Sequence, residues 1–279
     1  MIILWFLSFV ALLALWALLW SPRPLPDITA TPPLLIGHRG LRGRLPENSL
    51  AAFAAALDAG LDGIEFDVQR SRDGALFIYH DFNLSDERLA RSFTLDELQS
   101  FGPDIPTLDD LFALARRYPG KLLNLEIKSR GLRSDGVERE VVSAVRRSGL
   151  AGRVLISSFN PLSLIRVRLY APELRTALLY APDVPPLLRS GHLARWLHVD
   201  ALHPHHSQVD ERLLRWAARH ALSVNTWTVN DPERVQDLTR LSARGLNVNG
   251  LMADDPEALK DGVLSARRLG DATAERAAP

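Results

Sequence analysis

The sequence contains no cysteine, so it offers neither a disulfide framework nor a thiolate metal site. It lacks any excess of charge, with 33 basic residues balanced by 33 acidic ones. No global field recruits nucleic acid, and any steering must come from local clusters. A glycine-rich phosphate-binding fingerprint is missing as well. Charge is also absent from the start of the chain: Met1 to Trp20 hold no ionisable side chain and a single polar one, Ser8. As a helix rising about 1.5 Å per residue, that run spans roughly 30 Å, the thickness of a bilayer core. Trp5, Trp16 and Trp20 stand toward its ends, where interfacial aromatics gather. Residues 1–20 are therefore expected to form one N-terminal transmembrane helix. A cleaved signal peptide is the alternative. It is disfavoured because no basic residue opens the run and no small-x-small site precedes Ser21-Pro22. Arg23, Arg39, Arg42 and Arg44 follow the run, so the positive-inside rule predicts a single-pass protein with its large domain on the cytoplasmic side.

Residues 21–33 carry five prolines and read as an extended linker. The domain is expected over 34–269, with a disordered tail at 270–279 that has little to bury. Within the domain, short apolar runs alternate with helical stretches. Strands are expected at Leu34–Ile36, around Glu65, at Lys121–Lys128, Val154–Ser157, Thr176–Tyr180, Ala201–His203, Ser223–Trp227 and Val248–Met252. Helices are expected between them, among them one from Pro46 or Glu47 to Ala59 and one over Pro186–Leu197. A ninth apolar run, Leu76–His80, follows Val68 too closely for a parallel crossover, which needs about a dozen residues. It must be the return arm of a hairpin. Eight βα units remain, which predicts a (β/α)8 TIM barrel with a small hairpin-plus-loop insertion after the second strand. An open doubly wound sheet is the alternative. The polar excursion Phe82–Pro106 is long for a connection and reads as a lid or cap.

Chemistry collects at the strand ends. Ile64, Phe66 and Val68 alternate with Glu65 and Asp67, so both carboxylates project to one side of a strand. Two buried acids side by side call for a cation between them. Asp73-Gly74 is a turn signal, and symmetry about a two-residue turn predicts His80 opposite Asp67. His38 and Arg39 end the first strand, and Glu126 and Lys128 the third. In a barrel all of these share the C-terminal mouth. Three carboxylates, Glu65, Asp67 and Glu126, with no soft ligand favour a hard divalent ion, Mg²⁺ or Ca²⁺. A purely structural acid cluster satisfied by Arg39 and Lys128 is the other reading. His38 and His80 are the groups for proton transfer near neutral pH.

The motifs His38-Arg39-Gly40, Glu47-Asn48-Ser49, Glu65-x-Asp67-Val68, Asp73-Gly74, His80-Asp81, Ile105-Pro106-Thr107-Leu108, Leu125-Glu126-Ile127-Lys128, Ser157-Ser158-Phe159 and Trp227-Thr228-Val229-Asn230 occur in that order. Together they resemble the glycerophosphodiester phosphodiesterase family. The likeness runs from about Leu34 to Pro256. Departures are Ser49 where the family usually has threonine, the segment Asn83–Arg91, and Met252-Ala253-Asp254-Asp255-Pro256 at the end.

The resemblance implies hydrolysis of a glycerophosphodiester to glycerol 3-phosphate and an alcohol, with Glu65, Asp67 and Glu126 as metal ligands. It implies attack by the glycerol 2-hydroxyl through a cyclic phosphate, with one histidine as base and the other as acid; His38 is read as the base and His80 as the acid, the reverse being the alternative. Arg39 and Lys128 are expected on the phosphate. Trp227 and Phe159 are expected on the glycerol side, or else as core aromatics. Glu47 reads either as a helix cap or as an orienting group beside the metal. His203-Pro204-His205-His206 reads as rim rather than as a ligand set. Trp196 and Trp216 read as packing residues. With an anchor, a lysophospholipid is the alternative substrate, giving lysophospholipase D action. A non-catalytic, membrane-tethered headgroup-binding barrel is the alternative of another class.

Overall fold

The computed structural model describes residues 5, 8, 11, 12, 15–24, 27–30, 33–102, 104–243, 246, 248–256, 260 and 263. The strands are β1 (Leu34–His38), β2 (Gly63–Arg70), β3 (Leu76–Ile78), β4 (Leu122–Ile127), β5 (Val154–Ser158), β6 (Arg175–Tyr180), β7 (Ala201–Pro204), β8 (Ser223–Thr226) and β9 (Gly250–Ala253). Eight of them are parallel neighbours in the order β1-β9-β8-β7-β6-β5-β4-β2, and β1 also pairs with β2. That last pairing closes the barrel and rules out an open sheet. β3 pairs antiparallel with β2 and stands outside the ring. Between the strands run α1 (Leu50–Asp58), α2 (Leu95–Phe101), α3 (Leu108–Ala115), α4 (Val137–Ser148), α5 (Pro161–Tyr170), α6 (Ala194–Leu197), α7 (Glu211–Arg219) and α8 (Pro232–Ala243).

The strands are buried on both faces, as parallel strands under a ring of helices must be. Outward residues such as Ile64, Phe66, Val68, Leu123 and Leu125 pack with the helices around Phe53, Leu111 and Phe112. Inward residues Leu34, Ile36, Leu122, Leu155, Ala177, Ala201 and Met252 fill the lower barrel as a separate cluster. Moving up two residues from that floor carries Ile36 to His38, Met252 to Asp254 and, by way of Asn124, Leu122 to Glu126. The two-residue side-chain period thus converts an apolar floor into a polar mouth.

Helix boundaries follow their caps. α1 begins after Ser49, whose hydroxyl accepts from the Ala52 N–H, rather than at Pro46 or Glu47 as expected. α2 and α3 carry full capping boxes, Thr94 with Glu97 and Thr107 with Asp110. The helix expected over Pro186–Leu197 is absent. Two 3-10 turns, Pro186–Leu188 and Gly191–Leu193, precede the four-residue α6. Pro185-Pro186 and Gly191 explain the break, because neither residue type sustains a helix interior. The excursion after His80 folds over its own small core of Phe77, Leu84, Ala90, Phe93, Leu98 and Ile105.

The hairpin turns one residue differently from the expectation. Ser71 N–H donates to Ala75 O at 2.9 Å and Gly74 N–H to Ser71 O at 3.1 Å, with Gly74 at φ +96°. The loop is therefore centred on Asp73, and the pairs are Val68 with Ile78, Gln69 with Phe77 and Arg70 with Leu76. Tyr79, not His80, stands opposite Asp67, and its N–H donates to Asp67 O at 3.0 Å. β3 ends at Ile78, so His80 lies on a bend beyond the ladder.

The expectations of a transmembrane helix and of single-pass membrane localisation are overturned. Among the described residues, no helix is long and apolar enough to cross a membrane. Residues 1–4, 6–7, 9–10 and 13–14 of the proposed anchor lie outside the described residues. The part that is described packs on the barrel. The Trp16 ring stacks on His198 at 3.9 Å, and its indole N–H donates to Trp196 O at 2.9 Å. Arg195 Nε donates to the carbonyl of buried Ala17 at 3.0 Å. Trp20 donates to Val199 O at 2.9 Å and lies against His220 and Trp216. These groups take protein partners where an anchor would face lipid. Further along, Arg23 pairs with Asp200 at 3.2 Å. The expected tail at 270–279, and most of the helix expected after Pro256, lie outside the described residues.

Candidate active site

The mouth is assembled from the tops of β1, β2, β4 and β9. After His38 the chain turns through Arg39 and Gly40, both in the left-handed region, at φ 55° and 82°. Gly40 is required there: a Cβ would stand 2.7 to 2.8 Å from backbone and side-chain atoms of Ala52. Arg39 tolerates its own conformation because its N–H donates to Glu65 Oε2 at 3.1 Å. Its Nη1 donates to both oxygens of Glu47, at 2.9 and 3.1 Å, and its Nε lies 3.4 Å from Asp67 Oδ2. Glu47 also meets Arg42 at 2.8 Å. Glu47 is thus an ion-pair partner of Arg39, and the cap is Ser49.

Glu65, Asp67 and Glu126 come together at the centre. They offer carboxylate oxygens all within 4.8 Å of one another, and all three are buried. Lys128 Nζ lies 3.0 Å from Glu126 Oε1 and 3.5 Å from Asp67 Oδ1. Three carboxylates face two fixed cations, which leaves one negative charge over. The imbalance shows in the proton affinities. Burial and the charges of Asp67 and Glu126 push Glu65 well above the usual carboxylate range. Burial also raises Glu126, to about 7, with Lys128 pulling down and Asp67 pushing up. Burial would raise Asp67 too, but Lys128, His80, Arg39 and a hydrogen bond from Asn48 outweigh it and hold it low. An all-oxygen set with surplus negative charge in a buried cradle fits a hard divalent cation.

The two histidines flank this cluster, each with a carboxylate behind its Nδ1. His38 Nδ1 lies 2.7 Å from Asp254 Oδ1, and its Nε2 faces Glu65 Oε2 at 3.9 Å. Burial alone would raise Asp254; hydrogen bonds from His38 and Asn230 bring it down to about 2. His80 Nδ1 lies 2.8 Å from Asp81 Oδ1. Burial lowers the His80 pKa, with Asp67 opposing and Lys128 and Arg39 adding to the shift. His38, Arg39, Glu65, His80, Glu126 and Lys128 line one cavity of about 190 Å³, with Phe159, Trp227, Asn124, Leu179 and Met252 forming its other walls. Phe159 and Trp227 meet edge to face at 5.5 Å. A second, wider cavity of about 520 Å³ shares His80 and Lys128 and is bounded by Tyr79, Asp81, Phe82 and Arg130.

Three residues of the mouth escaped the reading of the sequence as site groups. Asn48 stood in the matched Glu47-Asn48-Ser49 motif without a role of its own; its Nδ2 donates to Asp67 Oδ2 at 2.9 Å and its Oδ1 accepts from Asp67 N at 3.3 Å. Asp254 and Asn230 bind each other reciprocally, side chain to side chain at 2.8 Å and Asp254 N–H to Asn230 Oδ1 at 2.9 Å. Asn48 and Asn230 both stood in matched motifs, which was the available signal. His203 departs from the expected rim position. It is wholly buried inside the barrel against Asn225 at 3.0 Å, and burial lowers its pKa to about 3. His205 and His206 remain at the rim, with His205 5.4 Å from the Trp227 ring.

A family model described as the glycerophosphoryl diester phosphodiesterase family matches residues 38–258. A curated glycerophosphodiester phosphodiesterase of Caldanaerobacter subterraneus subsp. tengcongensis is 34% identical over 241 residues, covering 81% of this chain and 96% of the relative. Among solved structures, a phosphodiesterase of Oleispira antarctica in complex with sn-glycerol-3-phosphate superposes with a TM-score of 0.66 at 26% identity, covering 85% of this chain and 97% of that one. A glycerophosphodiester phosphodiesterase of Parabacteroides distasonis gives 0.70 at 25% identity, covering 84% and 98%. Barrel, mouth and relatives agree: the chain is a phosphodiesterase and belongs to the glycerophosphoryl diester phosphodiesterase family.

Proposed function

We propose that the enzyme hydrolyses glycerophosphodiesters to glycerol 3-phosphate and an alcohol, with His38 and His80 moving the protons. The observation that carries this reading is the pair of carboxylate-backed histidines on one cavity with Arg39, Lys128 and three acids. Asp254 accepts from Nδ1 of His38, which leaves Nε2 free to take the proton of the glycerol 2-hydroxyl. As that oxygen bonds to phosphorus, the bond from phosphorus to the alcohol oxygen breaks, and His80 donates a proton to the departing alkoxide. The anionic phosphodiester itself raises the proton affinity of the neighbouring His80, which burial otherwise depresses. In the second half the roles exchange, and water opens the cyclic phosphate.

Arg39 and Lys128, already held by acids, present fixed donors to the phosphate oxygens. Glu65, Asp67 and Glu126 would hold a divalent ion, Mg²⁺ or Ca²⁺, which when bound offsets the negative charge of the phosphoryl oxygens. Glu47 keeps the Arg39 guanidinium in place. Trp227 and Phe159 offer an apolar wall to the glycerol carbons, and the wider cavity beyond His80 receives the alcohol. A lysophospholipid is the second reading, and its argument loses the support of a membrane-spanning helix, which no described residues form.

The test is release of glycerol 3-phosphate from glycerophosphocholine by the wild type, His38→Ala and Glu65→Ala. Both variants are expected to lose at least 100-fold in kcat. Undiminished turnover in either would sink the assignment. A substrate lacking the 2-hydroxyl should not be cleaved, and turnover of it at the normal rate would exclude intramolecular attack.

A further inference from the structure

His80 sits where regular structure has ended. β3 stops at Ile78, and the backbone hydrogen bond nearest to it on the ladder side is Tyr79 N–H to Asp67 O. The next backbone bond along the chain is Ala90 N–H to Phe82 O. Between them the chain is a bend, with no ladder to fix the direction of the imidazole. One buried side chain spans this gap. Gln69 on β2 is 2% exposed. Its Nε2 donates to Tyr79 O at 2.8 Å and to Asp81 O at 2.7 Å. The two amide protons thus grip the carbonyls on either side of His80. Gln69 also lies on the same strand face as Glu65 and Asp67, four residues beyond the first and two beyond the second. The strand that supplies two of the three acids therefore also aims the histidine.

We infer that Gln69 is the positioning residue for His80: its amide locks the bend so that the imidazole meets the cavity at a fixed angle to Asp67 and Lys128. The inference rests on the proposed role of His80. The residue type is dictated by the geometry. Both partners are carbonyls, so the side chain must donate twice from one atom, which the glutamine amide does without burying a charge. Glutamate is isosteric but accepts only, and it would set a carboxylate against two carbonyl oxygens. Leucine fills the space and donates nothing. A misplacement of about 1 Å at a catalytic group costs on the order of 100-fold.

The experiment compares Gln69→Leu, Gln69→Glu and His80→Ala on two substrates, glycerophosphocholine and glycerophospho-p-nitrophenol. The two differ in how much help the leaving group needs. If Gln69 acts through His80, both Gln69 variants lose roughly 30- to 100-fold in kcat on glycerophosphocholine. KM and the affinity for Mg²⁺ stay within threefold. On the nitrophenyl ester their losses then shrink or persist in parallel with those of His80→Ala. A kcat within threefold of the wild type overturns the inference, as does a loss that ignores the leaving group where His80→Ala responds to it. A fall in kcat accompanied by a raised KM, weakened Mg²⁺ binding and a lowered Tm reports general damage to the mouth, and also overturns it. If His80→Ala itself turns over normally, the proposed role of His80 fails first, whatever Gln69 does.

Discussion

Replacing Asp254 by asparagine changes one atom type at the rim of the barrel and is expected to disable a histidine. Asp254 Oδ1 lies 2.7 Å from His38 Nδ1, and its other oxygen accepts from Asn230 Nδ2 at 2.8 Å. Both bonds require an acceptor. The drop of its pKa to about 2 shows that the environment favours the ionised form despite partial burial. Asparagine can satisfy only one of the two partners. If its amide oxygen turns to Asn230, its NH₂ faces His38 Nδ1, draws a lone pair there and forces the proton onto Nε2. A histidine in that tautomer cannot take a proton from the substrate. A hydrogen bond to a charged group contributes about 1.5 to 3 kcal/mol. Realised in the transition state, that becomes roughly 10- to 150-fold in kcat. Steady-state release of glycerol 3-phosphate at pH 7 is the assay, with KM, Mg²⁺ affinity and Tm measured alongside. Asn230→Ala removes a neutral donor from the far oxygen and should cost only about fivefold. Asp254→Asn with kcat within threefold of the wild type would refute the idea that this contact sets the His38 tautomer.

Other consequences follow from burial and charge. Glu126→Gln removes one of three mutually repelling buried carboxylates, so in EDTA the variant should be more stable than the wild type by roughly 1 kcal/mol and melt higher, while activity is lost. A lower Tm under chelation would show that the pair with Lys128 matters more than the repulsion. Glu138 is fully buried under α5, accepting from Ser134 and, at 2.7 Å, from Ser163, and pairing with Arg166 at 3.1 Å. Burial raises its pKa, but these partners outweigh that and hold it below the ordinary value. Its contribution is therefore fully present above the unfolded-state pKa and is lost as pH falls through the lowered folded one. Glu138→Ala should cost about 3 kcal/mol in urea unfolding at pH 7 and clearly less at pH 3, and an equal cost at both would refute the sign. Trp227→Ala should raise KM for glycerophosphocholine about tenfold and leave kcat within a few-fold, since the indole offers contact area and no proton. A loss confined to kcat would move Trp227 into the chemistry.

The barrel was legible because parallel strands leave runs such as Leu34–Ile36 and Leu122–Leu125, and because the short Val68-to-Leu76 spacing forbids a ninth stave. The acids were legible for a related reason: alternation puts Glu65 and Asp67 on one face whatever the surroundings. The hairpin register was not. Whether a turn is centred on Asp73 or between Asp73 and Gly74 is decided by the Ser71–Ala75 bond, which composition does not encode. Asp254 lay beyond reach because it meets His38 across 216 residues of chain, a contact created only by closing β9 onto β1. The first twenty residues misled by hydropathy alone. Apolar length is necessary for a membrane span, but the indoles of Trp16 and Trp20 find hydrogen-bond partners and ring contacts at His198 and His220 on the barrel.

In the proposed reaction the three acids hold a divalent ion without which the phosphodiester is not cleaved. The most direct measurement of that requirement is glycerol 3-phosphate release from glycerophosphocholine before and after thorough chelation, followed by return of Mg²⁺ or Ca²⁺. Activity is expected to disappear with EDTA and to return with one of the two ions, whereas Glu65→Ala should not recover with either. Turnover that survives chelation undiminished would contradict it.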